Sequence, residues 1–245
     1  MQTTRFRPFV SEQKQIGISE GQPDSVRHSD RQLENFVFEY GEYFDSYLAT
    51  EPGREEFWSR DRLGLISYTR WGRNVLVGGG LIGPDEYRGQ LLAEFLEFAK
   101  ANKYRVAFHN IGDRELHLFQ AHNFEITKWG EEPVVDLGSC DWKGKAFEWV
   151  RRQTNYCLRQ GVRAFEVPHA ELTPEQWNRT LDEMLVVSAE SLEQKTQRHE
   201  MRFFEGRIGE HAIGLRRVFI ARSNEGMGRI EGFLVCNPML GGKMW

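Results

Sequence analysis

The chain is poor in the features that would make it a disulfide, metal or membrane protein. Its 245 residues hold three cysteines, Cys140, Cys157 and Cys236, too far apart for a disulfide framework or a Cys-x-x-Cys pair. They read as reduced thiols. No run approaches the roughly 20 apolar residues that cross a bilayer, and Met1–Arg7 lacks the apolar stretch of a signal peptide. A cytoplasmic location is the expectation. No single charge sign dominates: 32 basic residues against 36 acidic leave a net charge of -4, which excludes a chain that coats nucleic acid by bulk charge. No Gly-x-Ser-x-Gly elbow occurs, so an exposed serine nucleophile is not written here. His109, His117 and His122 match no common zinc spacing, and no metal site is expected. What remains is an ordinary globular composition, 40% apolar and 28% charged, long enough for one large domain or two small ones.

Residues 1–30 carry little apolar periodicity and read as a flexible tail. Arg31–Leu48 is rich in aromatic residues but does not decide between helix and strand. Leu65–Trp71 and Asn74–Val77 around Gly72-Arg73 read as a hairpin that runs into the glycine loop Gly78–Gly83. Asp85 is a candidate N-cap for a helix with Leu91, Leu92, Phe95 and Ala99 inside. Arg105–Ile111 reads as a strand, Asp113 opens a brief helix, and Phe124–Trp129 reads as another strand. The order is β, β, α, β, α, β.

A second unit begins near Asp141. Phe147, Val150, Thr154, Cys157 and Leu158 mark the expected buried stripe of a helix ended by Gly161, with Glu148, Arg152, Asn155 and Arg159 on another face. Lys143, Lys145, Arg151, Arg152, Arg159 and Arg163 against Asp141 and Glu148 make this stretch locally basic. Val162–Val167 reads as a strand. Thr173-Pro174-Glu175-Gln176 is a capping box opening a long helix, with Trp177, Leu181, Met184, Leu185, Ser188 and Leu192 toward the core. Leu215–Ala221 and Arg229–Cys236 form a second hairpin.

Gly78, Gly80 and Gly83 spell Gly-x-Gly-x-x-Gly, yet a hairpin rather than a single parallel strand precedes them, so a plain structural turn is the stronger reading. Tyr87-Arg88-Gly89-Gln90 faintly resembles the pyrophosphate-binding signature of acetyl-coenzyme A acetyltransferases of the GNAT superfamily, with bulky Leu91 and Leu92 where small residues are expected.

Lys128-Trp129-Gly130-Glu131-Glu132-Pro133, the acidic-Leu pair Asp136-Leu137, and the basic helix with Arg151, Arg152, Asn155 and a terminal Gly161 together resemble the C-terminal catalytic domain of the phosphatidylglycerol lysyltransferases, or multiple peptide resistance factors. The resemblance runs from about Tyr47 to Trp245; Gly80-Leu81 stands where the family has Asp-Pro.

The resemblance implies an α+β fold of tandem GNAT-like units with mixed, mainly antiparallel sheets: a first unit over 31–140, then the basic connecting helix and an incomplete second unit over 141–245. The family's chain continues past the second hairpin. It also implies aminoacyl transfer from an aminoacyl-tRNA to a phospholipid head group, at the inner face of the membrane, with the tRNA as co-substrate and no cofactor. Glu131 and Glu132 would then recognise a cationic aminoacyl group or move a proton, or else be strand-edge charges. Arg151, Arg152, Asn155 and Arg159 would contact RNA or lipid phosphate, or else line a solvated face. Gly79 and Gly80 would form the substrate loop. An acetyl-coenzyme A enzyme and a non-catalytic module that binds RNA or anionic lipid are the alternatives. The transferred amino acid, the acceptor and the oligomeric state stay open.

Overall fold

The computed structural model describes residues 23–196, 206, 215–240 and 243–244. Helix α1 (Pro23–Tyr40) starts on a proline, whose fixed φ suits a first helical turn. Residues 23–30, which composition alone assigns to a tail, therefore belong to a helix; residues 1–22 lie outside the described residues. Leu33, Phe36, Val37 and Tyr40 fall at i, i+3, i+4 and i+7, and this stripe packs on Tyr47, Ala49, Leu65, Ile82 and Trp58.

The first sheet joins β1 (Glu55–Trp58), β2 (Leu65–Trp71), β3 (Asn74–Val77) and β4 (Arg105–Phe108) in that order. The first three strands are antiparallel, and β4 pairs parallel to β3. Trp71 pairs with Asn74 across the expected hairpin, with Gly72 in the left-handed region at φ +60°. Helix α2 (Arg88–Ala101) connects β3 to β4 and buries Leu91, Leu92, Phe95 and Ala99. Phe95 sits 5.3 Å from Phe57 and 5.9 Å from Phe108, ring centre to centre, at the middle of this core. Asp85 is not an N-cap; it lies inside a 3-10 turn, Asp85–Tyr87, that leads into α2.

A 3-10 turn at Asp113–Glu115 leads into helix α3 (Leu116–Ala121). The strand expected at Phe124–Trp129 does not form. Phe124 packs on Phe108 and Phe119, and the residues after it pair with no strand among the described residues. Ile126, Trp129, Val134 and Leu137 are exposed along this stretch.

The second layer holds α4 (Glu148–Arg159), β5 (Arg163–Glu166), α5 (Pro174–Gln194), β6 (Arg217–Arg222) and β7 (Ile230–Cys236), with β8 (Pro238–Met239) pairing β9 (Lys243–Met244). β5, β6 and β7 form an antiparallel sheet. Thr173 accepts a hydrogen bond from the Gln176 backbone while the Gln176 side chain accepts one from Thr173 N–H, the complete capping box. α5 buries Leu181 and Met184 against Val218, Ile220 and Ile230. Leu185, expected inside, is exposed, because α5 covers the sheet with a narrower stripe. Helix α4 buries no residue: of the stripe predicted at Phe147, Val150, Thr154, Cys157 and Leu158, Phe147 meets the Trp142 ring and Val150 is half-buried, while the other three are exposed. No helix of the described residues is long and apolar enough to cross a membrane.

The two layers meet at a buried ion pair. Arg216, just before β6, lies 2.6 Å from Glu51 and 2.7 Å from the Asn237 side chain, and Leu240 N–H donates to Gly41 O at 3.0 Å.

Candidate functional site

The segment Tyr43–Ser46, between α1 and the first 3-10 turn, is held against the glycine loop by close packing. Gly79 and Gly80 both sit at positive φ, +89° and +76°. A Cβ on Gly79 would stand 3.0 Å from Ser46 Cα, and one on Gly80 would overlap the Tyr43 ring at 2.3 Å. Ser46 Oγ donates to Gly79 O at 2.7 Å. Tyr43 OH donates to Glu115 at 2.7 Å and accepts from Gly112 N–H at 3.1 Å; burial, then the Glu115 charge, pushes the phenol far above its usual range. The glycine loop is thus a cradle for protein backbone and a tyrosine ring.

This packing carries Asp45 into the interior, where it is 3% exposed. Asn110, at the carboxyl end of β4, donates to Asp45 Oδ2 at 3.2 Å, and His109 Nδ1 lies 4.0 Å from the same oxygen. Asp45 Oδ1 has no hydrogen-bond partner among the described residues. The Trp129 ring meets His109 edge-on at 6.4 Å. Glu132 is exposed but electrostatically coupled to this carboxylate: partial burial first, then the charge of Asp45, raises its carboxyl above the ordinary value. Arg54, buried beside Asp45 and Glu51, balances part of this charge, and burial pulls its guanidinium below the usual range. The carboxyl ends of the parallel strands β3 and β4 therefore open on two carboxylates, an imidazole, an amide and an indole. Such a set suits an alkylammonium group, with its charge on the acids and its flank on the aromatic ring.

The structure brings Gly79 and Gly80 against this segment and leaves Glu132 exposed within electrostatic range of Asp45. Glu131 points elsewhere, 81% exposed and paired with Lys128. Arg151 donates to the carbonyls of Trp142 and Gly144 at 2.6 and 2.9 Å and so organises the loop before α4. Arg152, Asn155 and Arg159 are exposed on α4, with no hydrogen bond or ion pair to the Asp45 cluster among the described residues. Arg88 is buried, 2.9 Å from Glu115, 2.9 Å from Asp85 and 3.2 Å from Glu42, with Nε directed at Gly83 O. Burial alone would lower its pKa; the three carboxylates outweigh that and hold it high. Its guanidinium faces the interior rather than a pyrophosphate.

Sequence reasoning missed Asp45, His109 and Asn110 as one cluster. An acid inside the aromatic run Tyr43–Leu48, and polar residues directly after an apolar strand, were the available signals.

The family described as phosphatidylglycerol lysyltransferase, C-terminal, matches residues 35–245. A phosphatidylglycerol lysyltransferase of Staphylococcus aureus is 24% identical over 194 residues, 78% of this chain and 22% of that protein. An uncharacterised protein of Corynebacterium glutamicum is 24% identical over 194 residues, 78% of this chain and 24% of its own length. The chain thus spans about a quarter of these curated relatives. Among solved structures, L-PGS from Bacillus licheniformis superposes with a TM-score of 0.67 at 25% identity, covering 85% of this chain and 61% of that one. A C-terminal domain from Agrobacterium fabrum, with a TM-score of 0.66 at 19% identity over 85% of this chain and 63% of its own, shares the α+β, GNAT-like fold. By the extent of the family match, the chain belongs to the phosphatidylglycerol lysyltransferase C-terminal family.

Proposed function

We propose that this chain moves an aminoacyl group, lysyl foremost, from an aminoacyl-tRNA to a hydroxyl of an anionic phospholipid head group such as phosphatidylglycerol. The reading rests on one observation above the others: Asp45 is a buried carboxylate with an oxygen that has no hydrogen-bond partner among the described residues, beside His109 and Asn110 and within electrostatic range of Glu132. An aminoacyl ammonium satisfies both acids at once and relieves their mutual repulsion.

The reaction exchanges one ester for another. The lipid oxygen forms a bond to the aminoacyl carbonyl carbon, the bond to the ribose oxygen breaks, and the hydroxyl proton passes to the departing ribose oxygen. No redox partner or cofactor enters this balance, and the protein's part is to align the two substrates and assist the proton. Arg152, Asn155 and Arg159 are assigned to phosphate contacts from the exposed face of α4. The reaction would take place at the cytoplasmic surface of a membrane. The inward-facing, fully paired Arg88 weighs against an acetyl-coenzyme A donor.

The test is incubation of the protein with radiolabelled lysyl-tRNA and phosphatidylglycerol vesicles, followed by solvent extraction. Label in the lipid phase is the expected result. Label confined to RNA and water overturns the reading, and RNA or vesicle binding without transfer assigns the chain instead to a binding module built on α4.

A further inference from the structure

The end of the first sheet remote from Asp45 carries a second charged surface. The β2–β3 hairpin closes at Trp71-Gly72-Arg73-Asn74; Trp71 is 58% exposed, and a Cβ on Gly72 would meet nothing within 4 Å. Parallel pairing sets Asn74 beside Arg105, whose backbone N–H donates to Arg73 O at 2.7 Å. Lys103 stands two residues before Arg105 in a left-handed turn, and Lys100 occupies the last turn of α2 at the same end. Arg73, Lys100, Lys103 and Arg105 are exposed and form no ion pair among the described residues; the nearby Arg70 is matched by Glu55 at 3.0 Å. One hairpin tip and its neighbouring strand thus present four uncompensated cations around an exposed indole.

We propose that this tip binds the phosphate backbone of the donor RNA, away from its aminoacylated end. The inference rests on the transfer reading above for the identity of the RNA. Two classes of polyanion fit the charge, and position decides between them. The tip and the Asp45 cluster occupy opposite ends of β3, four residues or roughly 13 Å apart. A bilayer seated on the tip would turn the cleft away from lipid head groups. A donor RNA is far larger than the cleft and must run along the domain from its reacting end, so its phosphates can reach the far end of the same sheet. The cations supply salt-dependent affinity by counterion release, and Trp71 offers a face on which an unpaired base can stack.

Filter binding of deacylated transfer RNA across about 50 to 200 mM salt tests this. R73Q/R105Q is expected to weaken binding about tenfold at low salt and to reduce the slope of log affinity against log salt by about two, one for each phosphate no longer neutralised. W71A should weaken binding severalfold and leave the slope unchanged. In the transfer assay the double variant should raise KM for whole lysyl-tRNA with kcat unaltered, and show normal kinetics with a lysylated adenosine, which is too short to reach the tip. Circular dichroism confirms that the variants are folded. Unchanged RNA affinity in R73Q/R105Q overturns the proposal, as does loss of binding to phosphatidylglycerol vesicles with RNA binding intact. A wild-type chain that binds RNA through this tip yet transfers nothing sinks the transfer reading and leaves this one standing.

Discussion

The guanidinium of Arg216 lies 2.6 Å from the Glu51 carboxylate and 4.9 Å from the centre of the Tyr47 ring, so a cation from the second layer is buried within the first. Both charged side chains are almost wholly out of water, and the pairing offsets part of the desolvation of each, with Asn237 accepting from Arg216 and Arg54 lying near Glu51. R216M takes from Glu51 the cation 2.6 Å away, leaving Arg54 as its buried positive neighbour, and should destabilise the protein by about 3 kcal/mol, read as a lower urea midpoint. The double variant E51L/R216M should recover most of that loss, since it removes both buried charges. A double variant no more stable than R216M would show that the pair acts through something other than mutual neutralisation.

Gly80 and Tyr43 make a second pair whose fit is open to direct test. G80A meets two costs, a left-handed φ of +76° and a Cβ 2.3 Å from Tyr43 Cδ2, and should lose about 2 to 4 kcal/mol. Adding Y43A removes the overlap but leaves the backbone strain, so the two changes should combine less than additively. G130A is the control: nothing lies within 4 Å of its Cβ and its φ is not in the left-handed region, so its effect should stay within about 0.5 kcal/mol.

The parts of this fold that sequence reasoning reaches are those decided by local chemistry. The β2–β3 hairpin follows from alternation around Gly72, α2 from its apolar spacing, and the start of α5 from Thr173 and Gln176. What it misses depends on partners distant in the chain. Glu55-Glu56-Phe57-Trp58 reads as polar, yet forms β1 because Phe57 finds Phe95 and Phe98 while the backbone pairs with β2. Phe124–Trp129 has apolar residues suited to a strand and no strand to join among the described residues.

The site divides in the same way. Gly79 and Gly80 are legible as glycines in a loop, but their purpose, to admit Tyr43 and Ser46, is tertiary. Glu131 and Glu132 are adjacent and equivalent in sequence; only the packing separates the one that pairs with Lys128 from the one electrostatically coupled to Asp45. Asp45, His109 and Asn110 come from segments more than 60 residues apart, and no spacing rule connects them.

The Asp45 and Glu132 carboxylates should control how a cationic aminoacyl group is captured. D45N is expected to lower kcat/KM for lysyl transfer about 30-fold, near 2 kcal/mol, the worth of one charged hydrogen bond. E132Q should have a smaller effect that appears in KM. The carboxyl of Glu132 is held above its ordinary value, so as pH falls it protonates earlier than an ordinary glutamate and capture weakens with it. The acid limb of 1/KM should therefore lie above the ordinary glutamate value in the wild type, and the part of it due to Glu132 should be absent in E132Q. An acid limb identical in both chains would remove Glu132 from ammonium capture.

Buried tyrosines set the behaviour in base. Burial, followed by the Glu55 charge, pushes Tyr68 up to about 12, and burial also raises Tyr43 and Tyr47 strongly. For Tyr68, folded and unfolded chains are protonated alike below pH 10, so its contribution to stability is complete there. Above that pH the unfolded phenol ionises while the folded one does not, and stability falls as pH rises toward 12. Absorbance at 295 nm should therefore show these three of the seven tyrosines silent at about pH 11, ionising together with the loss of circular dichroism. Y68F deletes one ionisation that pulls the chain open, so its stability should decline less steeply between pH 10 and 12. A single smooth titration of all seven near pH 10, with the fold intact, would contradict the packing of Tyr43, Tyr47 and Tyr68 described above.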